Sequence, residues 1–308
     1  MEKSRILVTG GAGFIGSAVV KRLQQDGHEV AVLDNLSFGN REFLDIPDSA
    51  FYKVDIRDVD EVNNVFESFR PEILIHLAAI HFIPYCNEHP FEASDINIRG
   101  TENLLEAASK FDAVKKVFFA STAAVYPIYD EAVTEMHEVK PLDIYGLSKY
   151  AGEKLCQKFH LETGKDTVVC RFFNAFGPNE TNPHLIPEIE SQLKNGSRIL
   201  KLGNTKPKRD FIHTFDMAEA VLALLSLENI GIDTFNLGRN IEYSVEEVVA
   251  AFSKILGEEI KIETDPSRVR KVERMHLLAD ISKLKEATGW KPQHSLEEGI
   301  KDLIDNWK

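Results

Sequence analysis

The chain has 308 residues, 43% apolar and 28% charged, with 36 Lys and Arg against 49 Asp and Glu for a net charge of −13. That apolar share supplies a core and excludes a disordered chain, and the length suits one large α/β unit or two close-packed lobes. The acidic balance excludes a nucleic-acid or anionic-membrane partner, both of which need a basic footprint, but leaves room for a small anionic ligand in a local positive pocket. Along the first half, short β-branched runs alternate with longer amphipathic ones. The pattern predicts strand Arg5–Thr9, helix Phe14–Gln25, strands Glu29–Leu33 and 51–54, helix Val59–Phe69 and strand Ile73–His76. It continues with a helix over 90–110, a strand over 116–120, a helix over 145–163 and a strand over 167–171. Such alternation means βαβ units and a parallel sheet covered on both faces. After Asn174 the pattern loosens, with Gly and Pro at 176–178 and 202–204 and short isolated strands beyond. The expected fold is α/β: a Rossmann-type doubly wound sheet with a smaller C-terminal α/β substrate lobe.

Met1-Glu2-Lys3-Ser4 enters its first apolar run without a secretory pattern, and no apolar run reaches membrane length, so a cytoplasmic protein is expected. Cys86, Cys156 and Cys170 are odd in number and widely spaced, which suggests neither a disulfide framework nor a zinc site. The ten histidines form no HExxH and no cluster with the cysteines, so no metal is expected.

Ile6-Leu7-Val8-Thr9-Gly10-Gly11-Ala12-Gly13-Phe14-Ile15-Gly16 runs from a strand through a glycine turn into a helix. Glycines let the backbone approach a pyrophosphate, and the helix N-terminus offers free N–H groups and a positive partial charge. Asp34 ends the next strand, 18 residues after Gly16. A carboxylate there accepts from both adenosine ribose hydroxyls and repels a 2′-phosphate, which favours NAD over NADP.

Tyr145-Gly146-Leu147-Ser148-Lys149 places a phenol and an ammonium on one helix face. A free tyrosine, with a pKa of roughly 10, is a poor base at neutral pH, and lowering it to about 7 takes roughly 4 kcal/mol of anion stabilisation. A nearby lysine and a positively charged nicotinamide supply that together. Tyr150 and Lys154 repeat the spacing, but five residues turn a helix by about 140°, so both pairs cannot face one ligand. Tyr145 lies in the first turn, nearest the carboxyl edge of the sheet, and is the preferred base. Ser121 and Thr122 end the fifth strand, where a hydroxyl can bond a substrate oxygen.

Taken together, these segments resemble the extended short-chain dehydrogenase/reductase family, in its NAD-dependent nucleotide-sugar epimerase/dehydratase branch. The resemblance spans the chain: Thr9 to Gly16, Asp55-Ile56-Arg57, His76-Leu77-Ala78-Ala79, Asn97 in Asn97-Ile98-Arg99-Gly100-Thr101, and Tyr145 to Lys149. It continues through Arg171-Phe172-Phe173-Asn174, Arg209-Asp210-Phe211-Ile212-His213, Asp280-Ile281-Ser282-Lys283 and Gly289-Trp290-Lys291-Pro292.

The resemblance implies Tyr145, Lys149 and Thr122 as catalytic residues. For NAD it implies Gly10, Gly13, Phe14, Ile15, Gly16, Asp34, Asn35, Asp55, Ile56, Leu77, Ala78, Ala79, Asn97, Tyr145, Lys149 and Phe172. For a nucleotide-sugar substrate it implies Thr122, Asn174, Arg209 and Arg270, with Arg268 and Arg274 as rivals to the last. It further implies a homodimer, a dinucleotide-binding domain over 1–173 joined by a strand near 234–238, and a substrate lobe made mainly of 174–308. Where dehydratases of the family carry an acid before Val-Tyr, this chain has Ala123 and Ala124, which points to 4-epimerisation of a UDP-hexose through a transient 4-keto sugar. The alternatives are a 4,6-dehydratase, another epimerase or a 4-keto reductase, and last a non-catalytic NAD-binding regulator. Three departures fall on the substrate side: Pro127 after Val125-Tyr126, His81 where lysine is frequent, and Arg270-Lys271-Val272-Glu273 as the phosphate motif.

Overall fold

The computed structural model describes residues 2–268 and 274–307. The chain opens with β1 (Arg5–Thr9), α1 (Phe14–Gln25), β2 (Glu29–Leu33), the short β3 (Phe51–Tyr52), α2 (Val59–Phe69) and β4 (Ile73–His76). Next, α3 (Ile83–Glu88) and α4 (Pro90–Ser94) lead through a π-helical turn at Asp95–Arg99 into α5 (Gly100–Lys110). Then come β5 (Lys116–Thr122), the long α6 (Ile144–Thr163), β6 (Asp166–Phe172), β7 (Asn174–Phe176), α7 (Leu185–Lys194) and β8 (Ile199–Leu202). The remainder is β9 (Lys208–His213), α8 (Thr214–Leu225), β10 (Ile232–Leu237), β11 (Glu242–Ser244), α9 (Val245–Leu256), β12 (Lys261–Thr264), α10 (Ser282–Thr288) and α11 (Leu296–Asp305).

Seven strands form one sheet in the order β10-β6-β5-β4-β1-β2-β3, every neighbouring pair parallel. Parallel strands must be covered on both faces, and the residues of β1 separate accordingly. Ile6 and Val8 join one core with α1 and α8, while Leu7 joins the other with α2, α5 and α6. Strand order reverses between β1 and β4, which opens a crevice beyond their carboxyl ends. A parallel edge of this kind delivers Gly10, Leu77 and Thr122 to one place although they are far apart in sequence.

The predicted strand over 51–54 shortens to Phe51–Tyr52, because Val54 N turns back onto Tyr52 O at 3.0 Å. The helix predicted over 90–110 is interrupted by the π turn, in which Thr101 Oγ1 donates to Asn97 O at 2.6 Å. β5 runs on to Thr122 and stays paired with β6 as far as Phe172.

Beyond β7 a third core gathers Phe176, Ile189, Leu200, Phe211, Phe252 and Ile300. Small sheets of β11-β9-β7 and β12-β8 accompany it. Both α8 and β10 return to the large sheet, so the third core is discontinuous in sequence. No helix among the described residues is long and apolar enough to cross a membrane.

Candidate active site

A cleft of about 1270 Å³ lies along the carboxyl edge of the large sheet and the facing surface of the third core. At its floor, Gly10 turns the chain at φ +70°, and a Cβ there would sit 2.6 Å from Ala78 N. At Gly16 a Cβ would lie 2.1 Å from Gly10 O. The turn therefore closes only with hydrogen at these positions. Gly13 caps α1 with no side-chain bond, so the first N–H groups of the helix stay available to an anion.

Asp34 accepts from Ala12 N at 3.0 Å and Leu36 N at 2.8 Å, fixing the glycine loop against the end of β2. Burial pushes its carboxyl up, against the pull of those two bonds. Both oxygens keep acceptor capacity, and the side chain lines the cleft with Gly13, Phe14, Ile15, Gly16 and Asn35. The cleft continues past Leu77, Ala78, Ala79, Ile56 and Phe172. Asp55 also lines it, but its carboxylate is held by Arg57 at 2.8 Å and by the Asn35 amide at 3.0 Å, and the Arg57 bond takes its pKa down to about 2. These residues fit a dinucleotide: a glycine cradle that a Cβ would fill, an uncapped helix end and a carboxylate at the second strand.

Tyr145 opens α6, whose N-cap Asp143 accepts from Gly146 N at 2.8 Å. Tyr145 and Thr122 both line the cleft, and burial pushes the phenol's pKa up against the opposing pull of Thr122. In the protein alone burial dominates; the lowering expected of Lys149 and a positively charged nicotinamide together concerns the cofactor-bound site. Lys149 lies one turn along, 2% exposed, with Nζ 4.2 Å from the Phe119 ring centroid and no ion pair among the described residues. Burial lowers its pKa to about 8. The alternative pair faces elsewhere. Tyr150 packs on the core containing α1 and α8, Lys154 Nζ sits 4.9 Å from its ring, and neither lines the cleft.

Successive strand residues point to opposite faces, which separates the two hydroxyls left open by the sequence. Thr122 lines the cleft with Tyr145, whereas Ser121 Oγ donates to Glu153 Oε1 at 2.5 Å. Glu153 holds Arg171 through two bonds of 2.9 and 2.7 Å, and Arg171 donates to Tyr126 at 2.8 Å. Tyr126 donates in turn to Asn236 on β10 at 2.8 Å. This buried network, which sequence reasoning missed, underlies the Tyr–Lys turn. Asn97 requires a correction as well. It is 1% exposed and does not line the cleft; its amide donates to Ile80 O at 2.9 Å and Ser148 Oγ at 3.0 Å, and its carbonyl accepts from Ile80 N at 2.8 Å. Asn97 thus braces the walls of the cofactor cleft rather than touching its contents.

Across the cleft stand Asn174 and Arg209. Arg209 Nη1 donates to Arg274 O at 2.7 Å. The adjacent Asp210 accepts from the backbone N–H groups of Arg239, Asn240 and Ala279, and burial raises its pKa to about 6. Arg270 lies outside the described residues. Its two rivals both line the cleft: Arg268 pairs with Glu188 at 2.9 Å, and Arg274 Nη2 donates to Tyr126 O at 2.8 Å. His81, Glu180 and His184 complete the wall. Burial takes the His81 pKa down to about 4. Residues 81 and 184 are too distant in sequence for spacing to have joined them.

A dinucleotide cradle beside a Tyr–Lys–Thr set whose tyrosine is half-buried, facing an arginine-bearing wall, defines a nucleotide-dependent dehydrogenase/reductase-type site. Residues 6–238 match the profile of the NAD dependent epimerase/dehydratase family, and the chain belongs to that family. UDP-glucose 4-epimerase from Bacillus subtilis is 33% identical over 331 residues, 98% of this chain and 96% of that protein. The solved UDP-glucose 4-epimerase of Thermus thermophilus in complex with NAD is 34% identical, with a TM-score of 0.87 over 98% of each chain. That of Thermotoga maritima with UDP-glucose is 32% identical, with a TM-score of 0.88 over 97% of each chain.

Proposed function

We propose that this protein is an NAD-dependent UDP-hexose 4-epimerase. The observation that carries the proposal is that Tyr145, Thr122 and Lys149 line the same cleft as the glycine cradle, with Lys149 one helical turn beyond Tyr145. When bound, NAD supplies a hydride acceptor at the sugar C4 and the donor that returns the hydride to the opposite face. Tyr145 takes the proton of the 4-hydroxyl and gives it back, and Thr122 bonds the same oxygen and keeps the phenol aimed. Lys149 supplies N–H donors to the cofactor ribose and a positive charge that favours tyrosinate over phenol.

Asn174 and Arg209 grip the substrate diphosphate, with Arg274 or Arg268 beside them and Arg270 a further candidate. Binding energy held at the diphosphate leaves the sugar ring free to turn over between the two hydride transfers. Ala123 and Ala124 line the cleft without a carboxylate, which favours epimerisation over elimination. Relatives named for UDP-glucose and UDP-glucuronate epimerisation support the reaction class.

The reading includes a homodimer, supported by Phe91 on α4 and Leu161 on α6, which are 91% and 83% exposed. It also includes a cytoplasmic location, in keeping with three free, buried cysteines. The purified protein incubated with UDP-glucose and no added cofactor is expected to form UDP-galactose. Inactivity on UDP-glucose, UDP-GlcNAc and UDP-glucuronate alike refutes the proposal.

A further inference from the structure

We propose that His81, Glu180 and His184 form a binding site for one divalent transition-metal cation of the zinc class, on the substrate wall of the cleft. One donor atom from each of the three residues lies within 4.8 Å of the other two. His184 Nδ1 is 3.3 Å from Glu180 Oε2. Two ligands of a tetrahedral zinc, with bonds of about 2.0–2.1 Å, stand roughly that far apart. Two imidazoles and a carboxylate suit Zn²⁺, Co²⁺ or Ni²⁺, whereas Mg²⁺ and Ca²⁺ prefer all-oxygen sets.

The surroundings also call for a cation. The Glu180 side chain is only 5% exposed; it accepts from Asn182 N at 3.0 Å, and its sole ion-pair partner among the described residues is His184. A buried carboxylate without Lys or Arg is costly unless a cation meets it. Asn182, 8% exposed, donates its amide N–H toward His81 Nε2 at 3.2 Å and so fixes the orientation of the ring. The segment carrying two of the ligands is anchored at the far side of the cleft. Asn179 Nδ2 donates to Ser17 Oγ at 3.2 Å, and Thr181 Oγ1 donates to Phe38 O at 3.4 Å.

Three protein donors leave a coordination position open, as in catalytic rather than structural zinc sites. All three residues line the cleft, so that position takes water or a phosphate oxygen of a bound nucleotide. The hydride chemistry does not need this ion. Its part is to add positive charge to the wall that receives the diphosphate.

The test is titration of chelator-treated protein with Co²⁺, read by visible absorption, with metal content after dialysis measured by mass spectrometry. A single equivalent with a low-symmetry cobalt spectrum is expected, and addition of UDP should perturb that spectrum. Glu180→Gln keeps the side-chain shape and should weaken binding by more than about tenfold, as should His184→Ala and His81→Ala. Circular dichroism confirms that each variant is folded, and Glu180→Gln remains decisive if an alanine variant is not. Sub-stoichiometric binding, or equal affinity in Glu180→Gln and the parent, overturns the proposal. Because the readout is spectral, its failure is separate from any failure to epimerise a nucleotide sugar.

Discussion

Glu153→Gln is the sharpest test of how the Tyr–Lys turn is supported. The carboxylate and the Arg171 guanidinium are 6% and 7% exposed and meet through bonds of 2.7 and 2.9 Å. Burial works against the guanidinium charge, and Glu153 with Tyr126 holds it on, leaving the Arg171 pKa raised. Glutamine preserves the shape but removes the charge and turns an N–H₂ group toward Arg171 or Ser121. A buried cation without its partner costs about 3–5 kcal/mol. At roughly 2 °C per kcal/mol for a chain of this size, the melting temperature should fall by about 6–10 °C. Because Glu153 sits one turn beyond Lys149, kcat should fall as well, even at temperatures where the variant is fully folded. Replacing both partners, Glu153→Met with Arg171→Met, removes the uncompensated charge and should recover most of the lost stability. Differential scanning calorimetry on the parent, both single variants and the double completes the cycle. A drop under about 2 °C for Glu153→Gln, or a double variant no better than the singles, refutes the reasoning.

Gly16→Ala puts a Cβ 2.1 Å from Gly10 O; the loop must open at a cost of about 1–3 kcal/mol, and NAD affinity by calorimetry should fall roughly ten- to a hundredfold. An unchanged affinity would show that the cradle is not the pyrophosphate site. Asp34→Ala removes the carboxylate that lines the cleft at the end of β2 and is proposed to meet the ribose, so the ratio of NAD to NADP affinity should drop by about tenfold or more; a constant ratio assigns the discrimination to another residue. Burial brings the Lys149 ammonium from 10.5 to about 8. Between those values the unfolded chain binds more protons, so stability rises with pH across the window. Below it the buried charge costs about 3 kcal/mol, and Lys149→Met should be the more stable protein at pH 7, with an advantage that fades by pH 10.5. A gap in melting temperature that stays constant with pH contradicts this.

Local chemistry made much of this protein legible. The bounds of β1, α1, β2, α2 and β4 match the sequence reading; β1, α1 and β2 are apolar-patterned runs closed by Gly10, Asp26 and Asp34. The break in the helix over 90–110 was not legible. A π turn keeps helical composition, and only the clamp of Asn97 on Ile80 and Ser148 shows why it is there. The residues alone left Ser121 and Thr122 open and the resemblance implied Thr122; their opposite facing at the end of β5, where Ser121 turns to Glu153, gives the physical reason they differ. Some motif residues are architectural. Arg171 pairs with Glu153, and Lys283 ties α10 to β10 through Thr234 O at 2.8 Å. The His81, Glu180 and His184 cluster is a product of tertiary folding alone, since β4 and the segment before α7 meet only across the cleft.

The account rests on the hydroxyl of Tyr145 moving the proton of a sugar alcohol. Tyr145→Phe removes that oxygen and little else, so its turnover of the nucleotide sugar, measured alongside its NAD content, is the most direct measurement. We expect kcat to fall by about 10²–10⁴ while NAD stays bound. A variant that turns over within a few-fold of the parent, or a comparable loss in Tyr150→Phe instead, contradicts it.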